Sequence, residues 1–138
     1  MSYYKINDID FIIKKNIPEL PGIYKIIALD INGLPLVLNR FLGFDNSGTL
    51  YIGKAENLCK RLTNMKRAFS PNHISDKHIA VRRYKMLNTL DRMTIQFPME
   101  KIVIEIQLAK NMTARELESK AFRDYEELFG ERPPLNRQ

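Results

Sequence analysis

Tryptophan is absent from this chain, cysteine occurs once and histidine twice. The single cysteine, Cys59, can form no internal disulfide, and one Cys with two His cannot assemble a zinc site. No apolar run is long enough to span a bilayer, and the first residues lack the basic, apolar and small-residue order of a signal peptide. These absences set aside a disulfide scaffold, a zinc finger and a membrane partner. They lead to the expectation of a cytoplasmic protein that is metal-free or takes a hard cation. A further shortage is local. Residues 54–92 hold three Asp and Glu against ten Lys and Arg, while the rest of the chain holds thirteen against twelve. The whole formal excess of +6 therefore sits in one central segment. Such concentration is the electrostatic footprint expected of a polyanion binder, with a merely solvated basic helix surface as the plainer alternative.

A length of 138 residues with a hydrophobic share of 44% suits one domain with one core. A short helix is expected over residues 7–17, where Ile9, Ile12, Ile13 and Ile17 fall at helical spacing. Pro18 and Pro21 end it, so residues 1–20 read as a helical extension preceding a unit over 21–138, within a single domain overall. Strands are expected over Gly22 to Leu29 and Thr49 to Gly53. Between them, Asn32-Gly33, Pro35 and Asn46-Ser47-Gly48 mark a loop or irregular hairpin, with extra strand over Leu36 to Leu42.

Asn57 is a plausible cap for a helix whose stripe is Leu58, Leu62, Met65 and Phe69. Ser70-Pro71-Asn72 breaks it, and a second helix is expected over His78 to Leu90. Lys101 to Leu108 alternates as a strand should. A last helix opens at Thr113, runs to about Phe129 and stops at Gly130 ahead of Pro133-Pro134. The fold class is α/β of the α+β type: a small, mainly antiparallel sheet of three strands flanked by helices.

One carboxylate is out of place. On the last helix Leu117, Leu128, Ala121, Ala114, Tyr125, Phe129 and Phe122 fill an arc of ~140° at 100° per residue. Glu118 falls within that arc. A carboxylate facing a core needs a cation or a metal, so Glu118 is either half of a buried ion pair or a ligand for one hard ion. Glu116, three residues after Thr113, has the ordinary role of closing a capping box. Tyr24 and Tyr51 are each, singly, ordinary strand packing residues. Arg61 lies at the border of its helix's apolar stripe and is aimed at the sheet, where a salt bridge is the plain alternative. His78 reads as a helix-start residue and Asn136 as a turn residue.

Together, Pro21-Gly22-Ile23-Tyr24, Tyr51-Ile52-Gly53-Lys54, Asn57-Leu58, Lys60-Arg61-Leu62, Leu117-Glu118 and Pro133-Pro134-Leu135-Asn136 resemble the GIY-YIG nuclease family, over roughly residues 20–137. The resemblance implies a stand-alone catalytic domain on a three-stranded antiparallel sheet. Its two tyrosines match Tyr24 and Tyr51, its helical arginine Arg61, its metal-binding glutamate Glu118 and its late asparagine Asn136. A functional histidine in some restriction-enzyme relatives matches His78 at wide spacing, and Lys54 adds a charge at the same place. The 26 residues between Tyr24 and Tyr51 depart from the family's tight hairpin and mark an insertion.

The implied activity is metal-dependent hydrolysis of DNA phosphodiester bonds. Tyr24 would be the base, Tyr51 would hydrogen-bond the water or phosphate, and Arg61 would hold the phosphate oxygens. Glu118 would bind one Mg²⁺ or Mn²⁺. Lys60, Lys66, Arg67, Lys77, Arg82, Arg83 and Lys85 would grip the backbone, positioning DNA without selecting a sequence. A homodimer or a partner chain is left open as a route to sequence recognition. The alternatives are a non-catalytic nucleic-acid-binding module on the same fold and a protein-interaction domain with a basic face.

Overall fold

The computed structural model describes residues 3–8, 17–69, 81–84 and 98–136. Six short strands build one antiparallel sheet and one small hairpin. Strand β1 is Tyr3–Lys5, β2 is Gly22–Ala28, β3 is Leu38–Asn39, β4 is Phe44–Asp45, β5 is Thr49–Ala55 and β6 is Ile102–Leu108. Helix α1 is Leu58–Phe69 and helix α2 is Ala114–Phe129. The main sheet has the order β1-β6-β2-β5, and β3 pairs with β4 apart from it. The sheet thus has four strands where three were expected. The additional one, β1, pairs Tyr4 with Ile104, so the first residues join the sheet as an edge strand. Most of the helix expected over 7–17 and of that over 78–90 lies outside the described residues. Within those spans, Ile6–Asp8 form a 3-10 turn and residues 81–84 are helical.

β2 and β6 are rich in β-branched residues because both sheet faces are covered. One face carries Tyr24, Ile26, Ala28, Ile102 and Ile104, and α1 lays Leu58, Leu62 and Met65 on it. The other face carries Lys25 and Ile52, against which α2 sets Leu117, Ala121 and Tyr125. The start of α2 follows its sequence closely: the Thr113 hydroxyl accepts from the Glu116 amide at 3.1 Å. Its end is Gly130 at φ 74°, left-handed backbone that a glycine adopts without strain. No described helix is long and apolar enough to cross a membrane.

The insertion between β2 and β5 is the β3–β4 hairpin, and it is stapled to the C-terminal end of α2. The Leu42 amide donates to the Phe129 carbonyl at 2.9 Å. The Arg40 guanidinium meets Glu131 at 2.6 Å and the Arg132 carbonyl at 2.7 Å. Beneath them the Tyr125 hydroxyl donates to the buried Asp45 carboxylate at 2.7 Å.

Candidate functional site

Antiparallel register brings the two tyrosines together. Tyr24 sits opposite Gly53, and Ile26 sits opposite Tyr51, so the phenols lie diagonally on one face. Their ring centroids are 6.0 Å apart and tilted by 38°. Gly53 is the residue that allows this. A Cβ added there would stand 2.6 Å from the Tyr24 hydroxyl and 2.7 Å from a ring carbon of Tyr51. The glycine of the second tripeptide is therefore a space for two rings.

Arg61 reaches the pair from α1, one turn inside a helix that Asn57 caps by accepting from the Lys60 amide at 3.0 Å. Its Nε donates to the Tyr24 hydroxyl at 3.3 Å. Tyr51 hydrogen-bonds Tyr24 as well, and burial, reinforced by the neighbouring Tyr24 phenol, pushes the Tyr51 phenol well above its ordinary range. Arg61 opposes that rise, and the Glu118 carboxylate adds weakly to it. Tyr24 itself is only 1% exposed, whereas Tyr51 and Arg61 are half-buried.

Glu118 comes from the other layer. It is half-buried at the margin of α2, between buried Tyr125 and half-buried Phe122 in angle around the helix, rather than at the centre of a buried arc. Leu128, at nearly the helical angle of buried Leu117, is left exposed in the last turn of α2. Burial raises the Glu118 carboxyl above the usual range, opposed by the Lys54 ammonium, the Arg132 guanidinium and a hydrogen bond from the Lys54 backbone. Among the described residues no cation closes on Glu118 as an ion pair. Arg132 is drawn to Glu126 at 2.8 Å and stacks over the Phe122 ring at 4.4 Å. Nor do two further His, Cys, Asp or Glu groups join Glu118 among the described residues. It is a lone, partly desolvated carboxylate beside an edge strand.

Asn136 is held by the backbone of β5. Its Oδ1 accepts from the Ile52 amide at 2.9 Å and its Nδ2 donates to the Ile52 carbonyl at 2.9 Å. Both ends of the amide are thus engaged by the outer edge of β5, next to the Leu135 amide on the Leu50 carbonyl at 2.8 Å. Asn136 is a positioning residue that covers an open strand edge and steadies Tyr51 through its neighbour. Arg83 is likewise turned inward, donating to the Leu135 carbonyl at 2.6 Å. It anchors the C-terminal segment rather than presenting a bare charge.

Lys54, Lys60, Arg67 and Arg82 are exposed and Lys66 is half-buried. His78, Lys77 and Lys85 lie outside the described residues. Arg132 is the group that sequence reasoning missed. It follows the Gly130 cap in an irregular segment, where no periodicity signals a direction, and only its place beside Phe122 reveals its influence on Glu118.

At this junction, near the end of β5, two phenols and a guanidinium on one sheet face lie close enough to the Glu118 carboxylate of the other layer for its charge to act weakly on Tyr51, and Lys54 acts on Glu118 in turn. Comparison with known proteins finds no matching family model, no matching curated protein and no matching solved structure.

Proposed function

We propose that the chain is a metal-dependent endonuclease that hydrolyses DNA phosphodiester bonds at this junction. The observation that carries the reading is the Tyr24 hydroxyl, an oxygen that receives Arg61 Nε at 3.3 Å beside a second phenol whose proton is strongly held. A guanidinium at this place stabilises an added charge on phosphorus.

The division of labour follows from burial. Tyr24 is covered and Tyr51 is the more accessible phenol, so Tyr51 meets the attacking water. The water oxygen bonds to phosphorus, its proton passes to the Tyr51 oxygen, the Tyr51 proton moves on to Tyr24, which takes it as a phenolate, and the departing 3′ oxygen takes a proton from solvent. Arg61 holds the nonbridging oxygens as the P–O3′ bond breaks. Glu118 suits one Mg²⁺ or Mn²⁺, because it is a hard, partly desolvated carboxylate without a cation of its own among the described residues. Such an ion, when bound, supplies Lewis-acid stabilisation of the phosphate and of the leaving 3′ oxygen. Lys54 adds positive charge beside it. Lys60, Lys66, Arg67 and Arg82 then hold the nucleic-acid backbone.

A second reading is favoured by one observation, the near-complete burial of Tyr24. A core tyrosine on a basic fold is what a non-catalytic nucleic-acid-binding module would also show. Incubating supercoiled plasmid with the protein in Mg²⁺ or in EDTA separates the two. The enzyme nicks only with Mg²⁺, and Glu118→Ala and Arg61→Ala each lose activity on the order of 10²–10³-fold. Binding that falls with salt but never nicks supports the module and sinks the enzyme.

A further inference from the structure

We infer that the cavity between α2, the sheet and the insertion binds a small organic anion, with its charged end on Lys25 and its flat apolar body against Phe44, Leu128 and Phe129. All four of these side chains line that one cavity. Its volume is about 440 Å³, inside the range of roughly 300–1,000 Å³ that small-molecule sites occupy. It lies apart from the junction. The phenols are on the opposite face of the sheet. Lys120, at the cavity, stands about 160° around α2 from Glu118 at 100° per residue.

Lys25 calls for the negative charge. It belongs to β2, an interior strand, and is half-buried on the face that α2 covers. An ammonium partly withdrawn from water costs least when it is paired. Antiparallel register sets Glu105 directly opposite on β6, yet no ion pair closes between the two. Nor does the Lys25 ammonium have a hydrogen-bond partner among the described residues. The carboxylates that line the cavity are already engaged. Asp45 accepts from the Tyr125 hydroxyl and from the amide and hydroxyl of Ser47. Asp124 is bonded to Lys120 at 2.9 Å, and the Lys25 charge reaches it more weakly than those of Lys120 and Arg123. One cation is left over.

The apolar wall calls for the flat body. The pairing of Leu38 with Asp45 and of Asn39 with Phe44 leaves Leu38 and Asp45 buried and Phe44 65% exposed. Leu128 is 67% exposed, and the Phe129 ring is set against Tyr125 at 4.6 Å between centroids. The wall is built before any ligand arrives. The Leu42 amide on the Phe129 carbonyl and the Tyr125 hydroxyl on Asp45 both tie the insertion to α2. A site fixed in this way loses little freedom on binding. A bare inorganic anion would leave these rings wet, and an uncharged ring would leave Lys25 unpaired. Asn46 and Gln107 also line the cavity, and neither side-chain amide has a hydrogen bond among the described residues. They offer donors and acceptors to polar substituents on the ligand.

The test is calorimetric titration with four probes. Thymidine 5′-monophosphate and 2-naphthoate each combine a planar body with an anion, whereas thymidine and inorganic phosphate each carry one feature alone. At least one combined probe is expected to bind ~10-fold or more tightly than either single-feature probe, and which one binds tells phosphate from carboxylate. Lys25→Met and Phe44→Ala should each weaken that probe by about 10-fold or more. Phe44 stands on an exposed hairpin, so its variant keeps the test valid if Lys25→Met disturbs the sheet. Several results would overturn the proposal: no binding by any probe at millimolar concentration, or phosphate or thymidine binding as tightly as the combined probes. So would affinity unchanged in Phe44→Ala or in a folded Lys25→Met, or binding lost in Arg61→Ala instead, which would place the probe at the junction. None of these outcomes depends on whether the protein cuts DNA.

Discussion

Two polar clusters, each built around a tyrosine, differ in one respect. At the insertion, Tyr125 donates to Asp45, and Asp45 also accepts from the Ser47 amide at 2.7 Å and the Ser47 hydroxyl at 2.5 Å. The carboxylate is 1% exposed, yet hydrogen bonds reach both its oxygens. At the junction burial also dominates Tyr51, but the carboxylate nearby, Glu118, takes only the Lys54 backbone hydrogen bond among the described residues. In both clusters burial lifts the phenol well above its ordinary range. A fully satisfied buried network fixes a structure, and an incompletely satisfied one leaves room for something else. The first therefore reads as a staple and the second as a site.

The widest separation between the clusters is expected from removing single hydroxyls. Tyr24→Phe and Tyr51→Phe should each reduce plasmid nicking on the order of 10²-fold or more, while shifting unfolding by no more than ~1 kcal/mol. Tyr125→Phe should do the reverse. It leaves a buried carboxylate short of a donor, at a cost of about 1–3 kcal/mol in urea unfolding, with nicking unchanged below the melting range. The relay through Tyr51 sharpens the contrast further. Tyr51→Phe as damaging as Tyr24→Phe supports proton transfer through both phenols, whereas a loss under ~10-fold would confine Tyr51 to positioning. Because the Tyr51 phenol holds its proton above the ordinary range and the relay needs the pair to be one proton short, nicking should climb as pH rises from neutral.

Glycine 53 offers a second, smaller break. A methyl group at this position meets both phenol rings, and the edge strand cannot retreat while Asn136 and Leu135 hold it. Gly53→Ala should therefore lose about 1–3 kcal/mol through overpacking, and nicking should fall more than stability alone explains. A variant as stable and as active as wild type would show that the rings are not held against each other.

The legible parts of this molecule are those where periodicity and punctuation agree. Gly22–Ala28 and Thr49–Ala55 carry short apolar runs bounded by proline and glycine, and they form the two strands that bear the tyrosines. The stripe of Leu58, Leu62, Met65 and Phe69 is buried as its spacing requires, and α2 begins and ends on its caps. Strand β1 was not legible, because three residues show no period and gain their state only by pairing with β6. Asn136 was read by motif, yet its amide is used on Ile52, a contact 84 residues away in sequence that no local pattern announces. Helical angle put Glu118 among core positions. Glu118 proves only half-buried, and Leu128, near the angle of buried Leu117, is exposed in the last turn, so angle alone does not give burial.

The smallest expected effect is also the most direct comparison of the two carboxylates. A cation that binds only the folded chain raises its stability by RT ln(1 + [L]/Kd), or about 1.4 kcal/mol at ten times Kd, a few degrees in melting temperature for a domain of this size. Mg²⁺ should give that shift in wild type and in Asp45→Asn, because Asp45 has no coordination to offer beyond its hydrogen bonds. Glu118→Gln should abolish the shift. It should also melt slightly higher than wild type without metal near neutral pH. Burial raises the Glu118 carboxyl, so ionising it above that raised value costs the folded state, and the neutral amide removes the cost. If Mg²⁺ stabilises Glu118→Gln as much as wild type, the cation binds elsewhere, and the lone carboxylate beside β5 is only a half-buried charge.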